Sequence, residues 1–100
     1  MRIISDSRLR TASAKYPNSQ PSIKAWIKIT KLANWHSLDD TRQTFLSTDL
    51  VGKLTVFNIA GNNYRLITLI DYRQSKVFIR DFLTHAEYDK GKWKDDSWNK

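Results

Sequence analysis

Apolar residues follow two different periods along this chain. Ile23, Trp26, Ile27 and Thr30 recur at i, i+3, i+4 and i+7, while Lys24, Lys28 and Lys31 fall on another face. That spacing predicts an amphipathic helix with a basic outer surface. Pro21 suits its first turn, where a missing N–H costs nothing. An earlier helix is expected from a cap at Ser5 or Asp6 to about Tyr16, where Pro17 forbids continuation. "MRII" before it is short and β-branched and reads as a first strand. "HSLDDTRQTF" reads as a further helical turn, with Ser37 as cap and Asp39 and Asp40 in its first turn.

Beyond that turn the period changes. "LTVFNI", "YRLITLIDY" and "KVFIRDFL" are rich in β-branched and aromatic residues and are separated by the short connectors "AGNN" and "RQS". Short connectors force antiparallel neighbours, so the three segments predict a meander. The expected fold class is α+β: a short N-terminal strand, two helices plus a short helical turn, a three-stranded antiparallel meander and a short C-terminal helix. The helices are expected to cover one sheet face. One domain spanning residues 1–100 is expected, with about 91–100 a loosely ordered tail in which Trp93 and Trp98 are the docking candidates.

Polar chemistry is concentrated where the last strand ends, in "VFIRDFLTHAEYDK". Thr84 and Glu87 have the spacing of a capping box, and Leu83 and Tyr88 that of a hydrophobic staple. Those residues therefore have a structural reading as a helix start. His85 and Arg80 do not. His85 would open the helix, beside unpaired N–H groups that disfavour imidazolium, so a neutral ring able to act as a base is expected there. Arg80 sits mid-strand, sharing a face with Phe78 and Phe82 by simple alternation. Arg65 raises the same question on the neighbouring strand. Each alone reads as an ion pair with a packed stem; two on paired strands of a basic protein read as an anion site.

Charge and composition narrow the partners. There are 17 Lys+Arg against 10 Asp+Glu, a net of +7. Residues 1–34 hold seven basic groups and one acidic, so most of the excess lies there. This balance favours a polyanion, nucleic acid before membrane. The absence of cysteine excludes disulfides and thiolate metal sites, and His36 and His85 lack partners at ligand spacing. His36 reads as structural or exposed. No signal-like or membrane-length apolar run is present, which points to the cytoplasm.

The stretch "VFNIAGNNYRLITLIDYRQSKVFIRDFLTHAEYDKGKW" closely resembles the diagnostic region of HigB-type toxins of bacterial toxin–antitoxin systems. The matching pattern is a Val-Phe-Asn strand, a Gly-Asn turn, Tyr-Arg-Leu-Ile, and a Phe-Ile-Arg strand closing in Thr-His-x-Glu-Tyr-Asp. The N-terminal part fits more weakly, through a helix ending "KYP". The resemblance implies a RelE-like fold and an mRNA endoribonuclease acting on ribosome-bound message without a metal or other cofactor. It also implies a cognate HigA-type antitoxin with a helix-turn-helix domain. Carried over by position, Arg65 and Arg80 would stabilise the phosphorane, His85 would be base or acid, and Tyr88 would stack on a base or handle a proton. Lys53, Arg73, Lys76, Lys24, Lys28 and Lys31 are the candidate RNA-binding cations. The competing readings are a non-catalytic RNA-binding module and a ParE-like toxin acting on gyrase.

Overall fold

The computed structural model describes residues 1–100. Its elements are β1 (Arg2–Ile4), α1 (Ser7–Lys15), α2 (Gln20–Leu32), α3 (Leu38–Thr44), β2 (Asp49–Val51), β3 (Leu54–Ile59), β4 (Tyr64–Asp71), β5 (Lys76–Thr84) and α4 (His85–Lys90). Three 3-10 turns lie at Pro17–Ser19, Lys92–Asp95 and Ser97–Asn99. The expected α+β class is what forms. No helix is long and apolar enough to cross a membrane.

The helices start and stop where local chemistry dictates. Ser37 accepts the Asp40 N–H and caps α3. Asp6 is the N-cap residue of α1, yet its side chain makes no cap bond and pairs with Arg10 at 3.1 Å instead. Pro21 sits in the first turn of α2, whose buried face is Ile23, Trp26 and Thr30. Lys24, Lys28 and Lys31 are exposed.

The strands make one sheet in the order β1-β5-β4-β3-β2. The β3-β4-β5 meander is antiparallel, as its short turns require. Two features exceed the expected meander. β2 forms a further antiparallel hairpin with β3 across Gly52 and Lys53. β1 joins the same sheet parallel to β5, with Arg2, Ile3 and Ile4 opposite Lys76, Val77 and Phe78. That pairing makes the sheet mixed.

Two apolar clusters lie on opposite sheet faces. Leu9, Ala12, Ile23 and Trp26 from α1 and α2 pack on Phe57, Ile59, Leu66, Val77 and Ile79. Leu54, Val56, Ile67 and Leu83 face the other way and are covered by Trp93, with Tyr88 packed against them. Residues 91–100, expected as a loose tail, therefore form a covering layer. Trp93 is only 6% exposed. Its indole stacks on Tyr88 at 4.9 Å and donates to the Tyr88 carbonyl. Farther on, the Asn99 side chain accepts the Lys53 backbone N–H at 2.7 Å.

Strand β5 carries a bulge that simple alternation does not foresee. Ile67 pairs with Asp81 and Thr68 with Ile79, which leaves Arg80 as the extra residue. A bulge inverts the alternation beyond it. Phe78 and Arg80 face the C-terminal tail, where both rings of the Phe78–Trp98 pair meet at 5.2 Å. Phe82 faces the helices and stacks on Tyr64 at 5.3 Å. The expectation that Arg80 shares a face with both phenylalanines is corrected accordingly.

Candidate functional site

The polar knot after β5 resolves into a helix start and a set of groups fixed around it. Thr84 accepts the Glu87 N–H at 3.2 Å, and Glu87 accepts the Thr84 N–H at 2.9 Å. The Thr84 N–H bond holds the Glu87 carboxyl below its ordinary range, against a smaller upward push from burial. Leu83 and Tyr88 meet in the same apolar cluster, as a staple would place them. Gly91 ends the helix with φ +76, a left-handed conformation that suits glycine.

This short helix aims three groups. Tyr88 carries the Arg65 guanidinium, whose carbon lies 5.3 Å from the ring centre. Burial raises the Tyr88 phenol above its ordinary value; Asp49 and Asp89 push the same way and Arg65 opposes them. A phenol shifted upward stays protonated near neutral pH. His85 points its Nδ1 at the Asp89 carboxylate, 3.0 Å away and one turn on. The ring is part-exposed, and with Nδ1 engaged its Nε2 is the nitrogen left for a substrate. Asp89, read from sequence only as a charge at a helix end, is thus the group that orients His85.

Arg65 is held from a second side. It is 8% exposed. Its NH1 donates to the carbonyls of Asn62 and Tyr64 at 3.2 and 3.1 Å, and its NH2 to the Asn62 side chain. The adjoining Asn63 carbonyl accepts the His85 backbone N–H at 3.0 Å. One hairpin turn, Asn62–Asn63, therefore positions both Arg65 and the start of the His85 helix. Nothing in the sequence beyond turn propensity marked Asn62 for that task.

Arg80 belongs to a neighbouring cluster on the same face. Arg65 pairs with Leu83 across the strands, so Arg80 lies about 10 Å farther along β5, at roughly 3.3 Å per residue. Its Nε and NH2 each donate at 3.0 Å to a different oxygen of Asp96, a two-pronged pair. Its guanidinium carbon sits 4.1 Å from the Trp98 ring centre. Burial alone would raise the Asp96 carboxyl. The Arg80 hydrogen bonds, the Trp98 N–H and the Arg80 and Arg8 charges outweigh it and hold the group below its ordinary value.

The candidate RNA-binding cations are dispersed. Lys53 lies in the β2–β3 turn with its ammonium on the Lys100 carbonyl. Arg73 is exposed in the β4–β5 turn and Lys76 opens β5, at the end of the hairpin far from Arg65. Lys24, Lys28 and Lys31 line the outside of α2, across the sheet from both arginines. His36 is exposed in the α2–α3 connection. No three His, Asp or Glu side chains converge.

The arrangement offers fixed cations, a protonated phenol and an oriented imidazole on one face of a basic domain. Comparison with known proteins agrees with the sequence resemblance. Residues 19–91 match the model of a family described as HigB_toxin, RelE-like toxic component of a toxin-antitoxin system. An mRNA interferase HigB of Escherichia coli O6:H1 is 29% identical over 93 residues, covering 90% of each chain. The mRNA interferase toxin HigB of Escherichia coli K12 is 28% identical over 92 residues, covering 89% of this chain and 88% of its own. An mRNA interferase HigB of Shigella flexneri is similar to the same extent.

Proposed function

This chain belongs to the HigB family of RelE-like toxins, and we propose that it is an endoribonuclease that cleaves messenger RNA on the ribosome and so stops translation. The observation that carries the reading is the meeting of Arg65, Tyr88 and the His85 helix around the Asn62–Asn63 turn. As the toxic component of a toxin–antitoxin pair it has an antitoxin partner; the reading adds that this partner carries a helix-turn-helix domain.

The chemistry needed is attack of a ribose 2′-OH on the adjacent phosphorus, with departure of the 5′ oxygen of the next nucleotide. The attacking hydroxyl loses a proton, and the leaving oxygen gains one. His85, oriented through Nδ1 by Asp89, presents Nε2 for one of these transfers. The Tyr88 ring is already engaged by Arg65 and Trp93, which favours its hydroxyl, protonated at neutral pH, over base stacking. Arg65 supplies positive charge to the phosphorane from a preorganised position. Fixed donors of this kind are worth roughly 10²–10³ in rate. Arg80 lies on the same face, paired there with Asp96. The ribosome supplies alignment of the message, which reduces what the toxin itself must contribute.

The test is primer extension on mRNA in a translating extract, comparing wild type with His85→Ala and Arg65→Ala, each checked for folding by circular dichroism. Discrete wild-type cleavage sites that fade in both variants are expected. An extract in which translation stops while the message stays intact would remove the nuclease and favour a toxin that acts by contact alone.

A further inference from the structure

The C-terminal segment crosses the sheet face that carries both arginines. It starts at the Arg65 end, where Trp93 packs on Tyr88, Ile67 and Leu83. It passes Arg80 at Asp96 and Phe78 at Trp98. It finishes at the β2–β3 turn, where Asn99 and Lys100 meet Lys53. The family match stops at residue 91, and the nuclease reading takes from this segment only the stack of Trp93 on Tyr88.

The contacts at Arg80 have the form of a bound nucleotide. A carboxylate and a phosphodiester both present two oxygens to a guanidinium fork, and the same parallel bonds serve either. Asp96 uses both oxygens on Arg80. The Trp98 indole covers the guanidinium face and is edge-on to Phe78, as a nucleobase stacked at the same place would be.

Resting on the nuclease reading of this face, we infer that residues 96–100 are an internal competitor for RNA. Asp96 stands where a phosphate binds Arg80 and Trp98 where a base stacks. RNA engages Arg80 only after this end of the chain lifts away.

The two halves of the segment are anchored unequally, which is what such a strap requires. Trp93 is buried, whereas Trp98 is 39% exposed. Between them the backbone leaves helical geometry at Asp96, with φ −52 and ψ 131. Beyond that point the strap is held by the Arg80 pair, the Trp98 contacts and the polar contacts of Asn99 and Lys100. Asp95, one residue earlier, is exposed and carries the same charge, so it is an internal control for electrostatic repulsion of RNA.

The experiment measures binding of a short 2′-O-methyl RNA, which cannot be cleaved, to full-length wild type, Asp96→Asn, Asp95→Asn, Trp98→Ala and Asp96→Asn/Arg80→Ala. Asp96→Asn should bind about ten-fold more tightly than wild type, the scale of one competing charge-assisted contact removed. Trp98→Ala should gain less, Asp95→Asn should gain little, and the double variant should lose the gain. Equal effects of Asp96→Asn and Asp95→Asn would overturn the strap, as would a gain that survives without Arg80, or no tighter binding by any tail variant. Ribosome-dependent cleavage by wild type is scored in parallel. Absent cleavage alongside an Arg80-dependent gain in binding would leave the strap standing and retire the nuclease.

Discussion

The guanidinium carbon of Arg65 lies 5.3 Å from the centre of the Tyr88 ring, while Asn62 holds the same guanidinium from the hairpin turn. A cation so placed is preorganised before any substrate arrives. Its stacking and its fork are both properties of arginine, which lysine does not reproduce.

Arg65→Lys should therefore keep the charge and lose most of the activity, and Arg65→Ala should lose more, about 10²-fold or beyond in single-turnover cleavage at saturating ribosomes. A Lys variant as fast as wild type would show that charge alone suffices.

His85→Ala should slow single-turnover cleavage by roughly 10²–10⁴, the usual worth of a positioned proton-transfer group. Asp89→Asn should cost less, because it weakens the orientation of the ring and leaves the ring in place. Both are part-exposed or exposed, so thermal stability should barely move. A His85→Ala rate within a few-fold of wild type would shift the proton transfers to Tyr88 and the ribosome.

Thr84→Ala removes one half of the capping box and should cost about 0.5–2 kcal/mol in urea unfolding. Unchanged stability combined with lost cleavage would mean that Thr84 serves the substrate instead.

Glu87 and Asp96 are both held below their ordinary carboxyl values, 4.5 and 3.8. The native state thus binds fewer protons than the unfolded chain in that range. Their stabilisation is complete above the unfolded values and is lost as pH falls through the lower, folded ones. Urea midpoints measured between pH 7 and pH 2 should fall below about pH 4, and Glu87→Gln with Asp96→Asn should flatten the fall. An unaltered acid profile in that double variant would assign the loss to other carboxyls.

Reversing Lys24, Lys28 and Lys31 to Glu alters only the exposed side of α2, across the sheet from the arginines. Ribosome association should weaken, and the difference from wild type should shrink as salt rises. Association unaffected at low salt would exclude this face from the contact.

The helices, the Ser37 cap, the meander and the Thr84–Glu87 box were legible in the sequence because each depends on residues within a few positions of one another. Hydrophobic period, turn chemistry and capping all act at that range. The HigB resemblance was legible for the same reason: its pattern lies in the contiguous stretch from Val56 to Trp93. Other features depended on distant pairings. β1 becomes parallel to β5 only because 70-odd residues of intervening chain return a strand to its edge. Arg80 becomes the extra residue of a bulge only through its register with Ile67 and Thr68, and the side assigned to Phe82 changes with it. In the polar, lysine-rich tail only Trp93 and Trp98 hint at docking; its place is decided by Tyr88, Arg80 and Phe78, which it meets only after the sheet has formed. Local sequence thus determined which elements and which chemical groups this protein has. Tertiary structure decided which groups are neighbours, placing Arg65 with Tyr88 and Arg80 with Asp96, because strand register and chain return are set by contacts that no short window of sequence contains.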